Sequence, residues 1–155
     1  MSFKKSISSL KLPHHKNTAA MAAVKIAPPE EVLLPMNMHS GHDAEPVVAV
    51  GEHVLIGQLV AREEGRNSAP VYASISGQVA AIEDYPNETG RKTKAIRIVS
   101  DGKMEVSPEV KPPEIHDLDS FLAAVRDSGI VGLGGAAFPL WAKLDAIRRG
   151  PIKTV

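Results

Sequence analysis

From Val32 to Val99, short runs rich in valine and isoleucine are broken every few residues by glycine, proline, asparagine or aspartate. A helix does not survive that rhythm, whereas strands joined by tight turns require it. The pattern predicts strands at Val32–Pro35, Val47–Val50, His53–Leu55, Gln58–Ala61, Val71–Ala73, Gly77–Glu83 and Ala95–Val99. It predicts turns at Gly51–Glu52, Ile56–Gly57, Gly65–Asn67, Ser76–Gly77 and Asn87–Gly90. Many short strands with frequent turns make a small sandwich or barrel. A weak internal echo points the same way. The stretch opening Pro46–Val47–Val48–Ala49 resembles the one opening Pro70–Val71–Tyr72–Ala73, and each then runs through glycine into another apolar strand. Two such halves clasped together would form a quasi-twofold sandwich.

The flanks differ in kind. Residues 1–31 read as an arm that wraps on the next module, with a short helix at Ala19–Val24 and a stop at Pro28–Pro29. Residues 101–114 carry Pro108, Pro112 and Pro113 among charges and read as a linker between the β module of residues 32–100 and a helical segment, 115–155. In that segment Leu118, Phe121, Leu122 and Val125 share one helical face, with Asp117 as N-cap and Gly129 just past the end. A second helix is predicted from Pro139 to Arg149. Pro139 suits the first position, Leu140, Leu144 and Ile147 share a face, and Gly150–Pro151 end it. Ile152–Val155 then reads as the start of a strand, so a truncated second domain is expected.

Composition removes several classes of function. Eighteen Lys+Arg balance eighteen Asp+Glu, which argues against non-specific nucleic-acid binding and against a polybasic membrane anchor. Aromatics at 4% are too few for a base-stacking platform. No cysteine is present, so the chain holds no disulfide, thiolate nucleophile or cysteine-ligated cluster. The longest mainly apolar stretch, Ala19–Ala27, carries Lys25 and is far short of the roughly 20 residues a membrane span needs. A soluble cytoplasmic protein is expected.

The stretch most suggestive of chemistry is Gly129–Ile130–Val131–Gly132–Leu133–Gly134–Gly135–Ala136–Ala137–Phe138–Pro139, between the two predicted helices. A glycine-rich loop running into a helix makes an anion site, because backbone N–H groups can approach a phosphate closely. Lys143 lies one turn on and would reach the same phosphate as a point charge. A tight turn whose glycines serve only packing fits the spacing as well, and better by spacing alone. No Gly-Lys-Ser/Thr follows, which excludes a P-loop, and a helix rather than a strand precedes it, which excludes a dinucleotide fingerprint.

Residues 132–139 with Lys143 resemble the G-x-G-G-x-G-F-P…K signature shared by the RnfC family and the flavin-carrying subunit of respiratory complex I. Two positions depart from it: Ala137 stands where glycine is usual, and Leu140–Trp141 replaces a Thr–polar pair. Residues 38–61 and 68–79 resemble the N-terminal part of the same family, although Met38–Gly41 stands where a Gln-His-Ile-Gly run is usual. Pro13–Lys16 echoes the family's arm. The resemblance implies an α+β chain: a barrel-sandwich hybrid like that of lipoyl and biotinyl carriers, then the start of an α/β domain binding FMN and NADH. It implies Gly132, Gly134 and Gly135 as loop glycines and Lys143 as a phosphate contact. It implies FMN and NAD(H) in the complete protein, with iron–sulfur clusters only beyond this chain and no cofactor tightly bound to this part. It implies partners among the subunits of an Rnf-like complex and ferredoxin-type carriers, and a peripheral place on the inner face of the cell membrane.

Three rival readings stand beside it. Carriers present a modified lysine at a hairpin tip, but the segment joining the two halves, Glu63–Ser68, has no lysine, and Glu63–Glu64 reads as a solvated turn. A non-catalytic docking module, or a soluble RnfC-like reductase system, would also fit. His39, His42, Asp43 and His14–His15 have metal-ligand chemistry without a diagnostic spacing and read as solvated loop histidines.

Overall fold

The computed structural model describes residues 16–86 and 90–145. Seven strands precede two helices: β1 (Glu31–Pro35), β2 (Glu45–Pro46), β3 (His53–Val54), β4 (Leu59–Arg62), β5 (Val71–Tyr72), β6 (Gly77–Pro86), β7 (Lys92–Ser100), α1 (Leu118–Asp127) and α2 (Leu140–Asp145). One antiparallel sheet has the order β1-β7-β6-β3 and a second the order β2-β4-β5. Register follows the alternation of side chains. In β7, Ile96 and Ile98 turn inward and pair with Leu34 and Val32 of β1. Bulges after Val79 in β6 and after Leu59 in β4 add the local twist that curls the sheets.

The core lies between the sheets. Met36, Val54, Val60, Ile75, Val79, Ile96 and Ile98 are fully buried, each larger one contributing on the order of 1.5–3 kcal/mol of transfer free energy. The two echoing segments take equivalent places: Pro46 and Val71 both pair with Ala61, one on each side of β4.

Several expectations need correction. The second predicted strand is displaced, with β2 ending at Pro46. Val47 still donates to the Val60 carbonyl (2.9 Å), but the Glu52 carboxylate then captures the Ala49 N–H (3.0 Å) and closes a turn. Residues 16–29 do not wrap on the module, and the chain joins it at Glu30, whose carbonyl accepts from the Ser100 N–H (2.8 Å). Residues 16–29 run exposed, with Val24 and Ile26 at 85% and 88%. Ala19–Val24 forms no helix, only a turn closed by Ala19 and Met21 donating to Lys16 and Thr18. The proline-bearing stretch after β7 is tied to the sheets: Ile56 donates to the Glu105 carbonyl and Ser107 to the Ile56 carbonyl, both at 2.9 Å. The predicted turn at Asn87–Gly90, the Pro13–Lys16 echo, and the stretch from Ile147 to Val155 lie wholly or partly outside the described residues.

Candidate functional site

Helix α1 starts as its sequence dictates. The Asp117 carboxylate accepts from the Ser120 N–H (2.8 Å), and the Ser120 hydroxyl accepts from the Asp117 N–H (3.0 Å), a reciprocal cap. These bonds from Ser120 hold the Asp117 carboxyl below the usual carboxylate range. Leu122 and Val125 of the predicted face are buried, while Leu118 and Phe121 remain largely exposed. The helix ends at Gly129, whose φ of +65° suits glycine, and a Cβ there would lie 2.7 Å from the Pro70 carbonyl oxygen.

The glycine-rich stretch is a closed loop with a fixed neck and an open apex. At the neck Val131 bridges Pro139, Gly132 donates to the Phe138 carbonyl (3.1 Å), and Leu140 donates to the Ile130 carbonyl (2.9 Å). The apex runs from Leu133 to Ala136, with the Leu133 side chain 96% exposed. A Cβ added to Gly134 or Gly135 would meet nothing within 4 Å. Neither glycine N–H has an acceptor among the described residues. Ala137 then takes a φ of +49°, in the left-handed region that favours glycine.

Lys143 returns to the neck. Its Nζ lies 3.2 Å from where a Cβ on Gly132 would sit, and 6.0 Å from the centre of the Phe138 ring. It forms no ion pair among the described residues. Gly132 and Lys143 are thus brought together, and Gly134 and Gly135 stand at the open end of the same loop. The loop thus offers an ammonium at its neck and uncommitted N–H groups at its apex, both of them groups whose chemistry suits an anion such as a phosphate.

The β module holds this loop at several points. The Ser40 N–H donates to the Ala137 carbonyl (3.1 Å), and the Trp141 indole N–H donates to the Ser68 carbonyl (2.8 Å). The Tyr72 hydroxyl donates to the Asp127 carbonyl at the end of α1, and burial, with Asp127 and Glu63 nearby, raises the Tyr72 pKa. Arg126 sits 4.6 Å from the Trp141 ring centre and pairs with Glu63. Glu63 is therefore no solvated turn residue, and its second carboxylate oxygen is buried with no hydrogen-bond partner among the described residues. His39 is likewise not solvated: it is 8% exposed, and its Nε2 lies 3.1 Å from the Ala69 N–H and 3.2 Å from the Ser68 hydroxyl. A cleft of about 180 Å³ remains at this seam, between His39, Pro70, Tyr72, Gly129 and Val131. Among the described residues no three His, Asp or Glu side chains gather as a metal site. Sequence reasoning missed the roles of Trp141, Arg126 and His39, since their partners lie 73, 63 and about 30 positions away.

Comparison with known proteins follows the same division. Residues 2–103 match the family model described as the RnfC barrel sandwich hybrid domain. A subunit of the Na⁺-translocating ferredoxin:NAD⁺ oxidoreductase complex of Acetobacterium woodii is 39% identical over 136 residues, covering 85% of this chain and 31% of that protein. Its counterpart in the proton-translocating ferredoxin:NAD⁺ oxidoreductase complex of Clostridium ljungdahlii is 40% identical over 133 residues, covering 83% and 29%. The counterpart in an ion-translocating oxidoreductase complex of Pseudomonas aeruginosa is 40% identical over 141 residues, covering 87% and 18%. The chain thus spans less than a third of the length of these relatives.

Proposed function

The chain belongs to the RnfC family through its barrel sandwich hybrid domain, and on that premise we propose that it serves in the NADH-linked electron-transfer subunit of an ion-translocating ferredoxin:NAD⁺ oxidoreductase complex. The names of its relatives support the complex. The loop supports the cofactor: Gly134 and Gly135 are glycines that no contact in the described fold requires, and the Lys143 ammonium at the neck of the same loop has no counter-ion among the described residues. Glycine, having no side chain, lets a backbone N–H approach a ligand from outside closely.

In this reading the apex N–H groups and Lys143 hold the phosphate of FMN, with Gly132 keeping room for the lysine. Bound FMN would supply the exchange between two-electron NADH and one-electron iron–sulfur or ferredoxin carriers. With no cysteine among its 155 residues, the chain contributes no cysteine ligands to those clusters. The β module, residues 32–100, mounts the loop, and residues 101–114 connect it to the segment that carries α1, the loop and α2. Among the described residues no helix is long and apolar enough to cross a membrane. A peripheral position on the inner membrane face, held by the other subunits of the complex, follows from this proposal. These 155 residues alone are expected to show no oxidoreductase activity.

Titrating FMN into the subunit produced from its complete gene tests the reading. Lys143→Met removes one charge-assisted phosphate contact and is expected to raise Kd about tenfold or more. An unchanged Kd would remove Lys143 from the site.

A further inference from the structure

We propose that Trp141 is a positioning residue for the anion site: by tying α2 to the Ser68 carbonyl of the β module, it holds the Lys143 ammonium beside Gly132. The inference rests on the anion-site reading of the loop and adds to it the part that sets the lysine's place.

Trp141 and Lys143 are two positions apart on α2, so they project to different sides of the helix. On one side the indole N–H reaches the Ser68 carbonyl at 2.8 Å. On the other, the Lys143 Nζ comes within 3.2 Å of the Cβ position of Gly132. Anything that rolls α2 on the module therefore moves the ammonium relative to the neck. Two contacts stiffen the anchor. The Arg126 guanidinium covers the indole at 4.6 Å from its ring centre and is itself paired with Glu63 of the module. Ser68, fully buried, has its hydroxyl 3.2 Å from His39 Nε2, and the same nitrogen lies 3.1 Å from the Ala69 nitrogen and 2.9 Å from the His42 carbonyl oxygen. The carbonyl that receives Trp141 thus belongs to a segment fixed from behind. The loop's other limb is fixed independently, by Ser40 donating to Ala137. Without the indole N–H, this tie from α2 to the module is lost, while the Ser40 contact stays.

A double-mutant cycle on FMN affinity, in the subunit produced from its complete gene, separates positioning from general support. Trp141→Phe keeps an aromatic ring and removes the N–H. Alone it is expected to weaken FMN about fivefold, the scale of one lost neutral hydrogen bond. In a Lys143→Met background it should weaken FMN less than about twofold, because the group it positions is gone. Amide hydrogen exchange gives a readout without ligand. Leu140 N–H, bonded to the Ile130 carbonyl at the neck, should exchange several-fold faster in Trp141→Phe, while Ile98 N–H in the sheet keeps its rate. Equal effects of Trp141→Phe with and without Lys143, or unchanged neck exchange, would overturn the proposal. An FMN affinity indifferent to Lys143→Met would instead reject the anion-site reading beneath it.

Discussion

Ala137 shows how a single residue records a constraint. Its φ of +49° lies in the left-handed region, which costs an alanine about 1–2 kcal/mol. Glycine would relieve that strain but returns about 0.4–1 kcal/mol of unfolded-chain entropy. Ala137→Gly is therefore expected to stabilise the chain by about 0.5–1 kcal/mol, read as a higher urea midpoint with an unchanged slope. Gly41 is the opposite case. At φ +122°, an added Cβ would sit 2.3 Å from the Asn67 carbonyl oxygen, where the loop before β2 presses on the loop after β4. His39, three positions from His42, is buried against the same facing loop, at Ser68 and Ala69. The spacing of the histidines was visible in the sequence, but the facing loop that covers His39 was not.

Among the elements, those with local causes were legible. The valine-rich runs marked most strands of both sheets, and Asp117 and Gly129 marked both ends of α1, because each signal acts within a few residues. The misplaced second strand and the exposed arm depend on long-range partners or on their absence, which periodicity does not carry. The turn after β7 illustrates a local site with distant partners. The Asp101 carboxylate accepts from the Ser76 hydroxyl (2.7 Å), from the Lys103 N–H (2.9 Å) and from the His53 ring (2.9 Å). These bonds hold its pKa at about 2, below the ordinary 3.8. A depressed folded pKa adds stability above the unfolded value and loses it as pH falls toward the folded one. Between about pH 4 and pH 2 the wild-type chain should therefore lose stability that an Asp101→Asn variant has already lost. The acid limb of a plot of stability against pH should be flatter in that variant.

At the scale of the whole molecule, a two-sheet β module carries an open loop. The module's interior accounts for its own residues, since every fully buried apolar side chain packs between the sheets or at the loop base. The loop does not account for its own glycines. Gly132, Gly134, Gly135 and Lys143 were legible as a group only through their likeness to a family signature. Their spacing fits a packing turn equally well until the empty space around the apex is seen. On the proposed reading, Gly134 and Gly135 serve a ligand and not the fold. The most direct measurement pairs thermal unfolding with FMN titration for the Gly134→Ala, Gly135→Ala double variant of the subunit from its complete gene. With nothing within 4 Å of either added Cβ, Tm should be unchanged or slightly higher, while FMN affinity falls about tenfold or more. Unchanged FMN affinity at unchanged Tm would contradict the claim and leave the loop as a packing turn.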